Sequence, residues 1–400
     1  MKKQGILLGL LGLVYSSLIA GLSYLFIMAE KLGSYLLWET LPHSFHLGWV
    51  YRLVVLTLLF WAVYQLKKRW GNLPRTSHDL LHELGSKQTV SYAQTWHDAT
   101  LALLILLSGA GVGPEATLLG AVIALSIWQA DKLRYLHQHW TDFGALSFWK
   151  KLAWLFSPSQ YLLAYPDYQK GTGKGLRNLL IANGLFVFWI LMRLTDQPSF
   201  VTKLGQTSWS WQDLLIFVPL CLWGYGLGKG YTYLSNWLKA FLDKLHLSLF
   251  LQLGLGVLAT FLVMTWSPIL LFSGQHSLHD LVELGLQTPV LLLLLLSFGK
   301  LLFLDLSIWS GWTGGDIFPI TFAAFLQGFA VAQIFPQFDS LFVVLVVSLS
   351  MAIGLLGKEW LAGIFISLFF PIQLLPVSLA IIGLALLWSK QKTKFLTKGK

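Results

Sequence analysis

From Ala99 to Ala130 the chain runs for 32 residues with a single charge, Glu115. One helix of that length would extend about 48 Å at 1.5 Å per residue, well beyond the roughly 30 Å hydrocarbon core of a bilayer. It cannot be one helix, because Gly109, Gly111, Gly113 and Pro114 interrupt it. Glycine weakens the helical ladder, and proline removes a donor and clashes with the preceding turn. The run therefore predicts two half-helices, 99–109 and 114–130, that meet at membrane depth. Lipid tolerates such a break only where protein buries it or where it lines an aqueous cavity.

Composition supports the membrane setting. Apolar residues make up 56% of the chain and charged residues 12%, about half the usual charged share of a soluble domain. The mean hydropathy is +0.65. Too few charges exist to cover a soluble fold. Continuous apolar runs, rather than alternation, exclude an outer-membrane barrel. The expected class is an all-α integral membrane protein in contact with the lipid bilayer. Further uncharged runs cover 5–29, 47–66 (with Arg52), 178–192, 214–228, 245–274, 284–299, 317–338, 340–357 and 361–389. Pro371 and Pro376 divide the last into two helices. The first holds 25 residues, too many for the roughly 7–15 of a signal-peptide core, so it is read as a retained span.

The net charge is +10, and its placement carries the information. Lys2, Lys3, the Lys67–Arg69 cluster and the basic tail 390–400 flank apolar runs. Lys and Arg favour the cytoplasmic side of short loops, so both termini are expected in the cytoplasm, with the protein multi-pass in the cell membrane. No separate basic domain exists, so no nucleic-acid partner is expected. The one cysteine, Cys221, excludes an intrachain disulfide. There is no phosphate-binding Gly-x-x-x-x-Gly-Lys motif. Many of the 19 tryptophans lie near run ends, as in an interfacial belt.

A second break resembles the first. Gly311, Gly314, Gly315 and Asp316 precede Ile317, Phe318 and Pro319. Pro114 and Pro319 lie 205 residues apart, about half the chain. Discontinuous helices at matching positions of two halves predict an inverted-repeat transporter with its site at the midplane. The halves would be 1–200 and 201–389, followed by the basic tail 390–400. A helix N-terminus presents unpaired N–H groups and about half a positive charge. Two such ends aimed at one point would hold a small anion without any basic side chain. The plainer alternative is that the glycines merely let helices cross closely.

The residues 109–116, Gly-Ala-Gly-Val-Gly-Pro-Glu-Ala, closing at Gly120, resemble the Gly-Arg-Glu-Gly-Pro region of the chloride-channel (ClC) family, and more closely its Gly-Pro-Glu branch. Lys300 and the stretch Gly311–Pro319 resemble that family's Gly-Gly-x-Phe-x-Pro segment. Gly71-Asn72-Leu73-Pro74 is a weaker match to its Gly-Ser-Gly-Ile-Pro. The resemblance implies a fold of two inverted halves, a homodimer with one anion pathway per subunit, and no resident cofactor. Chloride or another small anion would sit among Gly71, Asn72, Gly111, Val112, Gly113, Glu115, Gly315, Asp316, Ile317 and Phe318, between helix N-termini beginning near Gly71, Gly113 and Ile317.

The departures from the family pattern also carry expectations. Val112 stands where the family's gate glutamate precedes Gly-Pro, and the acid is Glu115 instead. The region matching the exchangers' proton-relaying glutamate, Gly184–Met192, has no acid. Gly71, with Asn72 beside it, is expected to replace the family's central serine, and the resemblance implies that the helix carrying the family's pore tyrosine is not included in these residues. Passive anion flow is therefore expected over proton-coupled exchange. Glu115 is read either as the gate or as an acid stabilising the helix dipole. Asp316 is read as an N-cap. Lys300 is read as an interfacial anchor or as a partner of Asp305 or Asp316. A rival reading, a membrane-embedded metalloenzyme, rests on His78 and His82, four apart on one helix face, with His43, His46 or His97 completing a site.

Overall fold

The computed structural model describes residues 2–71, 73–164, 174–195, 203–274, 276–278 and 280–398. Among them the regular elements are all helical. Nine helices among the described residues are long and apolar enough to cross a membrane, and the protein is a multi-pass membrane protein. The chain divides into two compact units. One comprises Met1–Tyr51, Trp61–Leu107 and Pro114–Pro198; the other comprises Arg52–Phe60, Ser108–Gly113 and Ser199–Lys400.

The first unit holds α1 (Lys2–Tyr35), α2 (Leu41–Ser44), most of α3 (Trp49–Trp70), α4 (Ser77–Lys87), α5 (Thr95–Leu107), α6 (Glu115–Gln138), α7 (Trp140–Ala145), α8 (Phe148–Phe156) and α9 (Lys174–Leu194). The uncharged run from Ala99 is two helices, as its glycines and proline predict: α5 ends at Leu107 and α6 begins at Glu115. α1 packs along α9 and α6. With little hydrophobic drive between helices in lipid, polar contacts and small residues hold such pairs. Asn183 supplies one contact: its amide donates to the Leu13 carbonyl at 3.0 Å and to the Ser16 and Ser17 hydroxyls at 2.8 and 3.0 Å. Gln129 supplies another, donating to the Gly12 carbonyl at 2.9 Å.

The second unit holds α10 (Phe217–Asp243), α11 (Leu249–Trp266), α12 (Leu281–Gln287), α13 (Val290–Trp309), α14 (Ile317–Ile334), α15 (Ser340–Leu356), α16 (Glu359–Ser367) and α17 (Leu375–Lys398). Its core is α14 and α15, buried from Phe318 to Ala332 and from Leu341 to Gly354. Both are apolar on every face, as a fully enclosed helix must be. The run 284–299 was expected to be continuous; Pro289 instead separates α12 from α13, which continues through Lys300 to Trp309. α17 runs on to Lys398 rather than ending at Ser389, since lysine and glutamine are good helix formers.

α10 meets α15 through small residues. A side chain at Gly224 would strike the Val347 carbonyl at 2.5 Å, and one at Gly228 would strike the Met351 carbonyl at 2.4 Å. Gly354 faces them from α15, its own missing side chain 2.9 Å from the Tyr225 carbonyl. This small-x-x-x-small pattern brings the two backbones together. Gly228→Leu is expected to destabilise the protein by about 3 kcal/mol, the upper end of overpacking costs. Gly226→Leu, two residues away and facing open space, should leave stability unchanged. Thermal melting of the two variants in detergent compares them directly, and equal midpoints would refute the close-packed contact.

Candidate anion-binding site

The segment 108–113 lies within the second unit and alternates glycine with larger residues. Each of its odd-numbered glycines bonds to a different part of that unit through its backbone. The Gly109 carbonyl accepts from the Phe272 amide at 3.1 Å. The Gly111 amide donates to the Ser307 hydroxyl at 3.1 Å. Gly113 and Gly315 form an isolated antiparallel bridge: the Gly113 amide donates to the Gly315 carbonyl at 2.8 Å, and the Gly315 amide to the Gly113 carbonyl at 2.7 Å. The segment is tightly turned: Gly109 has φ +82°, which favours glycine, and the Val112 amide donates to the Ala110 carbonyl at 2.8 Å, closing a turn at Gly111. There is no room for a side chain at Gly111, where an added carbon would lie 2.7 Å from the Phe303 ring. Val112 is fully buried, its side chain against the backbone of Gly314.

The opposing loop, 310–316, is fastened as firmly. The Trp312 amide donates to the Ser307 carbonyl at 2.9 Å. Its indole is buried, donates to the Leu253 carbonyl at 3.1 Å and fills the space left by Gly256 on α11. Ser307 therefore serves both breaks, its hydroxyl the first and its carbonyl the second. Beneath the first break, the buried Lys300 donates to the carbonyls of Leu270 and Phe272. Its ammonium lies 5.9 Å from the Phe303 ring centre and 6.0 Å from that of Phe322. Lys300 thus sits inside α13 and holds the 268–274 loop, a role the sequence reading did not include. Asp305 accepts from the Tyr231 hydroxyl at 2.8 Å.

The bridge changes which groups could meet an anion. The amides of Gly113 and Gly315 are already donated to each other, so those two glycines shape the site without offering N–H groups to it. α14 starts immediately afterwards, at Ile317. Ile317 and Phe318 form its first turn, where the positive end of the helix dipole lies. Asp316 occupies the N-cap position, but its carboxylate makes no capping hydrogen bond. Two causes are visible. Its backbone is helical (φ −111°, ψ −14°) rather than extended, and the third residue of the helix is Pro319, which has no N–H to accept. Asp316 is instead exposed.

In the first unit, Glu115 is the first residue of α6, directly after Pro114, and is half-buried. An acid there is favourably placed against the helix dipole. Gly71 corrects an expectation. It ends α3 rather than opening a helix: its φ is +80°, a conformation favouring glycine, and its amide donates back to the Lys67 carbonyl at 2.9 Å. Asn72 lies outside the described residues. α4 begins six residues later, at Ser77, where Thr76 and Asp79 form a reciprocal capping box. Burial raises the Asp79 carboxyl, but the side-chain and backbone bonds from Thr76, with the charges of His78 and Arg75, more than reverse this, and it sits below its ordinary value. His78 and His82 are exposed on α4, and His97 stacks edge-on against Trp70 at 4.5 Å. Among the described residues no three His, Cys, Asp or Glu side chains come together as a metal site, so the metalloenzyme reading has no support.

Comparison with known proteins agrees with this architecture. No curated protein matches the chain. A solved structure described as a CLC-type fluoride/proton antiporter superposes with a TM-score of 0.65 and 18% identity, over 95% of this chain and 94% of that one. Another, a slow cyanobacterial Cl−/H+ antiporter, gives 0.62 and 14% identity, over 94% and 93%. At those identities the likeness establishes the fold. Sequence supplies the rest: residues 179–387 match the model of the voltage gated chloride channel family. With more than half of its length matched and its fold shared almost end to end, the chain belongs to the chloride-channel (ClC) family.

Proposed function

We propose that this protein carries a small anion, chloride or another halide, across the cell membrane, and that the amides opening α14 form a fixed point of its path. The observation that carries this reading is the Gly113–Gly315 bridge. It pins the entrance of α14 by backbone bonds alone, so that the positive end of the helix, opening at Ile317 and Phe318, would face a negative solute. The site residues Gly111, Val112, Gly113 and Gly315 act as its frame, and Ile317 and Phe318 as its donors. A bromide-soaked crystal tests this: an anomalous peak is expected within hydrogen-bond reach of those two amides. A peak elsewhere, with none there, would remove α14 from the path.

Passive flow is favoured over proton coupling. The ground is α9, which spans Lys174–Leu194 without an acidic residue, so it carries no carboxylate to relay a proton. Two fold relatives are described as proton antiporters, which makes coupling the property to measure. In liposomes loaded with chloride, efflux should proceed without drawing protons uphill; proton accumulation driven by the chloride gradient would reverse the assignment. Family resemblance further supports a homodimer of inverted halves, with 1–200 and 201–389 as the repeats and both termini in the cytoplasm.

Glu115 is the acid best placed to regulate the path. As a carboxylate in the first turn of α6 it can occupy the position an anion would take and yield when protonated. Flux through Glu115→Gln should be higher than wild type at neutral pH and flat with pH, whereas wild-type flux should rise as pH falls. Identical pH profiles would leave Glu115 a dipole-stabilising residue only.

A further inference from the structure

The corner formed by α7 and α8 has the construction of a surface helix. α8 has nine residues, about 13 Å, less than half the hydrocarbon thickness. Its outward arc is aromatic and aliphatic: Phe148 is 68% exposed, Trp149 75%, Leu152 39% and Phe156 49%. At about 100° per residue those four positions fall within roughly 100° of arc. The opposite side buries Trp154 among Leu133, Leu136, Phe143 and Tyr15, with Phe143 and Tyr161 rings at 5.4 and 4.7 Å. Lys150 and Lys151 flank that buried tryptophan on either side, so each lies between the core and the exposed arc. Lys150 is exposed, and the Lys151 ammonium lies 5.9 Å from the Phe143 ring centre.

The corner is clamped to a spanning helix. On α6, Trp128 donates to the Pro158 carbonyl at 2.8 Å, and the buried Lys132 donates to the Trp154 and Gln160 carbonyls at 3.0 and 2.7 Å. The corner therefore packs along the C-terminal half of α6, a membrane span by length and composition. Between Leu133 and Ala164 the only acid is Asp142.

We propose that α8 lies in the membrane interface and binds anionic phospholipid, with Phe148, Trp149, Leu152 and Phe156 entering the acyl boundary and Lys150 and Lys151 meeting headgroup phosphates. A short helix, aromatic residues on the lipid side and lysines at its edges are the features such helices need. A bilayer is the fitting occupant because the corner is fastened to a membrane span and the flanking charges complement anionic headgroups.

The test uses the whole purified protein in detergent, with phosphatidylglycerol and phosphatidylcholine offered together and bound lipid counted by native mass spectrometry. Wild type should prefer phosphatidylglycerol by roughly thirtyfold, the scale two lysines give at an anionic surface. Lys150→Gln/Lys151→Gln should abolish that preference while its melting temperature stays unchanged. If the double variant does not fold, the single exposed Lys150→Gln should lower the preference by about half on a logarithmic scale. Inorganic phosphate, at ionic strength matched with chloride, should not displace the lipid. An unaltered preference in a folded variant, no preference in wild type, or displacement by phosphate would each overturn the assignment.

Discussion

The two hydrogen bonds between Gly113 and Gly315 are the constraint around which this structure is arranged. A helical membrane protein meets its backbone hydrogen-bonding demand within each helix, and any interruption exposes groups that cost several kcal/mol each if left unpaired in hydrocarbon. The chain interrupts two apolar runs and pairs the interruptions with one another. That bridge converts two costly defects into a rigid element, and it spends the amides of both glycines. Those two glycine amides are therefore unavailable to a ligand at the start of α14.

The glycines in Gly-Ala-Gly-Val-Gly serve the same requirement. Gly109, Gly111 and Gly113 bond in turn to Phe272, Ser307 and Gly315; Gly109 takes a positive φ, and Gly111 approaches Phe303 too closely for a side chain. Those missing side chains let three separate parts of the unit hold five residues of turned chain. Lys300 reinforces the arrangement from below. Burying its ammonium is expensive, and the expense is offset by carbonyls of a loop that has no ladder of its own to satisfy them.

Much of this was legible in the sequence and some was not, for definable reasons. The break at Gly109–Pro114 was readable because its glycines and proline act locally, on their own helix. So was its relation to Gly311–Pro319, through spacing. Ser307 and Phe272 were not readable as partners, because their bonds join residues 196 and 163 positions away, which no local pattern encodes. Ser307 did leave a signal, a hydroxyl one turn before a glycine cluster in an apolar run. Gly71 misled because a glycine at positive φ closes a helix as readily as glycine opens one. The failed Asp316 cap was derivable: Pro319 removes the amide that a cap of this kind would use.

The position of Val112 bears on how a path built this way could be gated. It is fully buried, with its side chain against the backbone of Gly314. A carboxylate in its place would be desolvated against backbone. In this chain the acid lies three residues later, at Glu115, in a helical first turn and half-exposed. Since the bonded and packed segment 108–113 carries no acid, the proposed gating charge falls to Glu115, the first residue of α6.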